Sequence, residues 1–345
     1  MSRTDPRLGA VLADRYRLVR AIGSGAMGTV YEAVHLGLGR VVAVKVLHPQ
    51  HVGSSDAEAR FLREGRAAAA IASDHIVVTF DVGKDKKHGL FLVTELLEGE
   101  DLDARLHRDR RLDVETALMI GRQVARGLAK AHAAGVVHRD LKPANVFLTT
   151  RDDGSLLAKI VDFGISKRMD ENALVDGPLT NRGTAVGTPQ YMSPEQLSGT
   201  EDIDGRSDVW SLGAVLYETI SGAAPFADRK GHLDIMLAIA REDVVPLRRV
   251  APWVPVAVAD AIDAALVRDR SLRTPSATAF ATQLGLALTK RRAAVRMRES
   301  GTLRRVAERD EQSDSHVVGA LESDESSDAM AVETERDPRV ARRKK

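Results

Sequence analysis

The stretch VVHRDLKPANVFL, residues 136–148, sets His138, Arg139, Asp140, Lys142 and Asn145 within eight positions, between a long helix-periodic run and a strand-like one. A carboxylate can take a proton, cations can neutralise an anion, and an amide oxygen can ligate a metal. On a solvated loop such a run means little; between two apolar elements it reads as a site. VFLTT (146–150) and LLAKIV (156–161) look like strands, and RDDGS between them is a turn signal. An antiparallel hairpin sets the start of its first strand beside the end of its second, so Asn145 meets Asp162. Two oxygen-bearing side chains there can hold a hard cation such as Mg2+ together with phosphates. Singly, Asn145 could cap a turn and Asp162 begin a loop. With Asp140 near enough to act as a base, the set reads as a phosphoryl-transfer site.

GSGAMG (23–28) fits G-x-G-x-x-G, a pattern that by itself often marks only a tight turn. A dinucleotide site or a P-loop needs a helix immediately afterwards. Here TVYEAV follows and alternates like a strand, and no G-K-[ST] ending is present. The glycines therefore join a hairpin and let backbone N–H groups approach a phosphate. Lys45, in VVAVKVL, shares a strand face with Ala43 and Leu47, which is costly unless an anion meets it, although a lone strand lysine also reaches solvent by snorkelling. Glu64, mid-helix in RFLREGRAAAA, is the candidate partner.

These groups need a frame. Residues 16–22, 29–34 and 41–47 read as strands, 54–72 as a helix capped by Ser54, Ser55 or Asp56, and 75–83 and 89–96 as further strands. Residues 113–134 put Ala117, Ile120, Gly121, Val124, Leu128 and Ala131 on one helical face. DVWSLGAVLYETI (208–220) is apolar nearly all round, a buried helix with Ser207 as its expected cap, and helical patterns fill 231–288. The expected fold class is α+β and bilobal, a small β-rich lobe with one main helix and a larger, mostly helical lobe. From about Lys290 the chain is dense in charge and short of aromatics, as a disordered tail would be.

Composition narrows the classes. The chain has 345 residues, a net charge of +1 and no cysteine, which excludes disulfides, thiolate metal sites and cysteine nucleophiles. Bulk charge argues neither for nucleic acid nor for a membrane surface. No run reaches the roughly 18 apolar residues of a membrane span, and the first residues lack a signal peptide's apolar core, so the expectation is a cytoplasmic protein.

The ordered set GSGAMGTV, AVKVL, HRDLKPAN, DFG (162–164), GTPQYMSPE (187–195) and SDVWSLG (207–213) resembles the Hanks-type, eukaryotic-like serine/threonine protein kinases of bacteria, over roughly residues 12–288. The resemblance implies an N-terminal segment 1–11, a kinase domain 12–288 with lobes meeting near 97/98, and a tail 289–345. It implies ATP and magnesium, with manganese as a substitute, and proteins carrying serine or threonine as substrates in bacterial signal transduction. Gly23, Gly25 and Gly28 would drape over the ATP phosphates, Ile22, Ser24, Ala26 and Met27 would also belong to the ATP-binding loop, and Lys45 would contact the α- and β-phosphates while paired to Glu64. Val30 and Ala43 would lie above the adenine and Phe147 below it. Glu95 and Leu97 would offer it backbone hydrogen bonds, with Thr94 behind. Asp140 would take or orient the substrate hydroxyl's proton, Lys142 would steady the γ-phosphoryl, and Asn145 and Asp162 would hold the metal.

By the same resemblance, Arg139 would bind a phosphate on the activation loop, where Thr180 and Thr184 are candidate phosphorylation sites. Thr188 would serve the substrate segment and, with Lys142, favour serine/threonine over tyrosine. His138, Phe163 and Gly164 would be structural, Asp208 would hold the catalytic loop's backbone, and Glu195 would pair with Arg273. SPE (193–195) replaces the commoner APE, a small-for-small change. A homodimer for autophosphorylation is part of what the family suggests. The membrane span and extracellular repeats of many relatives are not seen, which favours a cytosolic kinase. A pseudokinase would lack Lys45, Asp140 or Asp162, and a small-molecule kinase of this fold would lack the segment ending in a P-E pair; this sequence has all of them.

Overall fold

VVAVKVL is apolar on both faces apart from Lys45, the pattern of a strand covered on two sides. It forms β4 (Val41–Leu47), in the middle of a sheet ordered β1-β2-β3-β4-β6-β5. In this computed structural model, which describes residues 5–25, 27–49, 55–163, 189–199 and 202–296, the other strands are β1 (Val11–Leu12), β2 (Tyr16–Gly25), β3 (Gly28–His35), β5 (Thr79–Asp85) and β6 (Gly89–Glu95). Neighbouring strands of this sheet are all antiparallel, and β5 begins four residues after the strand expected from 75. Tyr31, Val44, Val46, Phe91 and Val93 form a core on one face of this sheet. Phe61 of helix α1 (Ser55–Ala69) joins Leu47, Leu90 and Leu92 in the larger core on the other. α1 lies so close to β5 that a β-carbon on Gly65 would meet Val82.

After β6 the chain turns helical. A three-stranded sheet, β7 (Glu100–Asp101), β8 (Val146–Thr150) and β9 (Leu156–Ile160), lies beside α2 (Leu102–Asp109) and α3 (Val114–Ala133). Asp113 caps α3, accepting from the N–H groups of Glu115 and Thr116. The face of α3 read from spacing, Ala117 through Ala131, is buried, and Gly121 admits Leu216 of the helix Gly205–Ser221. That helix is buried nearly all round, as its sequence demands. Its cap is Asp204, not Ser207: the Asp204 carboxylate accepts from Arg206 N–H, while Ser207 lies inside the helix with its hydroxyl on Glu195. Further helices span His232–Arg241 and Val256–Ala265, and another starts at 277. One compact unit extends to Arg291. Among the described residues, no helix is long and apolar enough to cross a membrane.

Candidate active site

The β8–β9 ladder pairs Val146 with Ile160, and Val161 N–H donates to Asn145 C=O at 3.0 Å. The hairpin thus brings Asn145 and Asp162 to one end. Asn145, nearly buried, donates its Nδ2 to the Asp140 carbonyl at 2.7 Å and lies 3.4 Å from Asp140 Oδ2. Lys142 Nζ stands 3.4 Å from that same Oδ2. Lys45 reaches across from β4 to Asp162 Oδ2 at 2.8 Å. Four of the sequence-read groups therefore meet within hydrogen-bond or ion-pair reach of a neighbour in the set, and Lys45 joins them from the other lobe. Two of the residues involved hold left-handed backbones without being glycine: Arg139 at φ 63° and Asp162 at φ 54°. Such conformations cost energy and persist where surrounding bonds fix them.

For the catalytic loop those bonds come from below. Asp208, with no exposed surface, accepts from His138 N–H at 2.8 Å, Arg139 N–H at 2.8 Å and His132 Nε2 at 2.7 Å. Burial opposes its ionisation, but the His132 contact, the nearby His138 ring and the backbone donors outweigh it and hold its carboxyl below the usual range. His138 is buried, its ring 5.0 Å from that of Phe163 and its Nε2 3.3 Å from Val161 C=O. The loop, the end of β9 and the helix Gly205–Ser221 are thereby tied together.

Above the cleft, Gly25 pairs with Gly28 at the tip of the β2–β3 hairpin, so the glycines join two strands. Val30 is half-buried on β3, Ala43 is buried on β4, and Phe147 is half-buried on β8. Ile22, Gly23 and Ser24 are exposed, and Met27 is half-buried. Glu64 is half-buried on α1. At the lobe junction Thr94 Oγ1 donates to Glu95 C=O at 3.2 Å, and Leu97 is half-buried. Glu95 Oε1 accepts from Val78 N–H at 2.8 Å and from Lys159 Nζ at 2.6 Å.

The segment 189–199 is anchored to the helical lobe. Tyr191 donates its hydroxyl to Glu218 at 2.6 Å, and Ser211 donates to the Tyr191 carbonyl at 2.7 Å. Burial raises both the Tyr191 phenol and the Glu218 carboxyl above their ordinary ranges. Glu195 and the fully buried Arg273 form a two-point ion pair at 2.7 and 3.0 Å, completed by Ser207 Oγ at 2.6 Å. Burial disfavours the Glu195 charge, but those bonds win and keep its carboxyl low. Ala26, Gly164, Thr180, Thr184 and Thr188 lie outside the described residues. The sequence reading did not single out His132, Lys159, Tyr191, Gln196 or Glu218. Of these, Lys159 carried a signal, as the one cation in the apolar run LLAKIV.

The residues present suit a magnesium ion. With its Nδ2 donating to Asp140, Asn145 has its amide oxygen left as the atom that would ligate a cation, and Asp162 keeps a carboxylate oxygen besides the one on Lys45. Few protein oxygens, completed by phosphates and water, are what this ion takes.

A glycine hairpin over a cleft, a lysine–aspartate bridge between lobes and an Asp–Lys–Asn loop define a protein kinase architecture. The sequence matches the protein kinase domain family over residues 16–284, and the chain belongs to that family. It is 40% identical over 280 residues to serine/threonine-protein kinase PknA of Mycobacterium tuberculosis, covering 80% of this chain and 62% of that one. To serine/threonine-protein kinase pkn3 of Myxococcus xanthus it is 36% identical over 287 residues, 81% of this chain and 51% of the relative. The chain thus spans less than two thirds of these relatives' lengths. The crystal structure of a cysteine-to-alanine mutant of the PknI kinase domain of Mycobacterium tuberculosis superposes with a TM-score of 0.64 at 27% identity, covering 83% of this chain and 99% of that one.

Proposed function

We propose that this chain is a serine/threonine protein kinase that moves the γ-phosphoryl group of ATP to serine and threonine hydroxyls of proteins, acting in bacterial signal transduction. Its domain extends over about residues 12–288, a reading supported by the family match and by a compact unit reaching Arg291. The observation that carries it is the meeting of Lys45, Asp140, Lys142, Asn145 and Asp162 at the end of one hairpin, under a second, glycine-tipped hairpin.

Phosphoryl transfer needs positioning and charge neutralisation more than covalent chemistry. The glycine hairpin offers backbone N–H groups to the phosphates, and Lys45 holds the α- and β-phosphates with Glu64 and Asp162 as its anionic neighbours. Val30, Ala43 and Phe147 sandwich the adenine, while the backbone of Glu95 and Leu97 hydrogen-bonds its edge. Asp140 orients the incoming hydroxyl and accepts its proton as the oxygen bonds to the γ-phosphorus and ADP leaves. Lys142, beside Asp140, meets the charge on the moving group. Asn145 and Asp162 would hold magnesium, which neutralises phosphate charge when bound. Thr180 or Thr184, once phosphorylated, would be held by Arg139, and two copies would meet to do this in trans.

The test is intact mass and peptide mapping of wild type and Asp140→Asn, each stripped by a phosphatase and then given Mg-ATP. Phosphate should return to wild type alone, on threonines between 162 and 195. If neither regains phosphate while both bind ATP, the phosphotransfer reading is wrong.

A further inference from the structure

Gln196 looks like filler in a one-turn helix, Pro194–Leu197, yet its amide joins two parts of the site. Its Oε1 accepts from Ser193 N–H at 3.0 Å and from Ser193 Oγ at 3.2 Å. Its Nε2 donates to the Arg139 carbonyl at 2.8 Å. A backbone N–H only donates and a carbonyl only accepts, so these partners fix which way the amide faces. The Arg139 carbonyl belongs to the peptide immediately before Asp140, and Arg139 is one of the two left-handed residues of the site. Its N–H is held by Asp208 and its C=O by Gln196. Both ends of a strained residue are thus pinned, one to the helix Gly205–Ser221 and the other to the segment that follows Tyr191.

We propose that Gln196 is a positioning residue for Asp140: through Arg139 it sets the plane of the Arg139–Asp140 peptide, and through Ser193 it makes that setting depend on how the substrate segment is seated. The proposal rests on the phosphotransfer reading. The neighbouring Glu195 points its carboxylate the other way, to Arg273 and Ser207. This one turn therefore locks into the helical core with one side chain and into the catalytic loop with the next. The serine of SPE takes part, since both its N–H and its hydroxyl hold the Gln196 oxygen. An alanine there would keep only the first bond.

Two substitutions separate this role from that of a helix cap. Gln196→Glu keeps an acceptor for Ser193, and a capping box takes glutamate as well as glutamine, but it replaces the donor facing Arg139 with an anionic oxygen. Gln196→Met removes both bonds at similar length. The readouts are kcat and KM for ATP with a protein or peptide substrate, plus Tm, all on proteins matched in phosphorylation state by intact mass. Gln196→Glu should lose about ten-fold in kcat, the scale of one hydrogen bond, with KM for ATP and Tm close to wild type. Gln196→Met should lose as much kcat and also some Tm. Wild-type kcat in either variant, or a Gln196→Glu loss that comes with weaker ATP binding or lower Tm, would overturn the proposal. A wild-type protein that transfers no phosphate would instead remove the phosphotransfer reading, and this inference with it.

Discussion

Lys159 and Glu95 form an ion pair of 2.6 Å across the lobe junction, with only a tenth of the lysine side chain exposed. Lys159 stands opposite Phe147 in the β8–β9 ladder, and Glu95 is the last residue of β6. The same carboxylate takes Val78 N–H, and Glu95 N–H returns a bond to Val78 C=O at 2.9 Å. Val77 N–H in turn bonds Ile160 C=O at 2.9 Å. The strand that would edge the adenine is thus tied to the hairpin that carries Phe147 and Asp162. If Phe147 and the backbone of Glu95 and Leu97 border the adenine as proposed, this one side chain would set the spacing of its two walls.

Lys159→Met keeps the stem and removes the charge. Taking one partner from a largely buried pair leaves a carboxylate with Val78 N–H as its remaining support, at a cost of about 1–2 kcal/mol given Glu95's partial exposure. Tm should fall by about 2–6 °C. KM for ATP should rise several-fold while kcat at saturating ATP holds, because the residue contacts Glu95 beside the proposed adenine walls and not Asp140. Adding Glu95→Gln should recover most of the lost stability, a coupling that a double-mutant cycle of melts and steady-state rates would measure. An unchanged KM in the single variant would show that the pair supports the fold without shaping the nucleotide site.

The strands of the small lobe, the buried helix and the approach of Asn145 to Asp162 were legible because each follows from local pattern: alternation, an apolar run, a short turn between two strands. What stayed hidden were partners distant in sequence. Nothing in LLAKIV says that Lys159 meets a residue 64 positions earlier, and nothing in SPEQL says that Gln196 reaches back to Arg139. The misread cap has the same origin. Asp204, Ser207 and Asp208 can all cap a helix, and local chemistry cannot rank them. Tertiary demand decides: Glu195 recruits Ser207, the catalytic loop recruits Asp208, and Asp204 is left to cap. The Glu195–Arg273 pair was visible only through family resemblance, since 78 residues separate its members.

Glu218 gives a stability that depends on pH in a direction opposite to most carboxylates. Burial, with Asp103 adding to it, raises its folded pKa above the ordinary 4.5, while the Tyr191 hydroxyl and His107 act the other way. A raised acid favours the folded state fully below the ordinary value, and that contribution is lost as pH rises through the folded value. At neutral pH an ionised Glu218 therefore costs stability. Glu218→Gln keeps an oxygen for the Tyr191 hydroxyl and removes the charge. It should raise Tm by a few degrees near pH 7, with the gain shrinking toward zero as pH is lowered through about 4.5. Melts of both proteins across that range test it; a gain that grows on acidification would mean that Glu218 is stabilised as an anion.

The three glycines of GSGAMG differ in what they are for. At none of them does the backbone take the left-handed form. A β-carbon on Gly23 or Gly25 would meet nothing within 4 Å, whereas one on Gly28 would collide with the Val46 carbonyl and crowd Leu47 Cα at 3.2 Å. Those atoms are backbone of β4 and cannot swing aside, so Gly28→Ala must push β3 from β4. Val30 pairs with Lys45 two residues further along, and the strain would reach the lysine that bridges to Asp162. Gly28→Ala should cost about 1–3 kcal/mol, the range of overpacked cores, and lower kcat/KM for ATP. Gly25→Ala should leave Tm within about 1 °C, because its site is open, and any effect should appear only in ATP kinetics, where a methyl would stand between backbone and phosphate. Equal loss of Tm in the two variants would mean that the hairpin tip, and not its contact with β4, is what glycine protects.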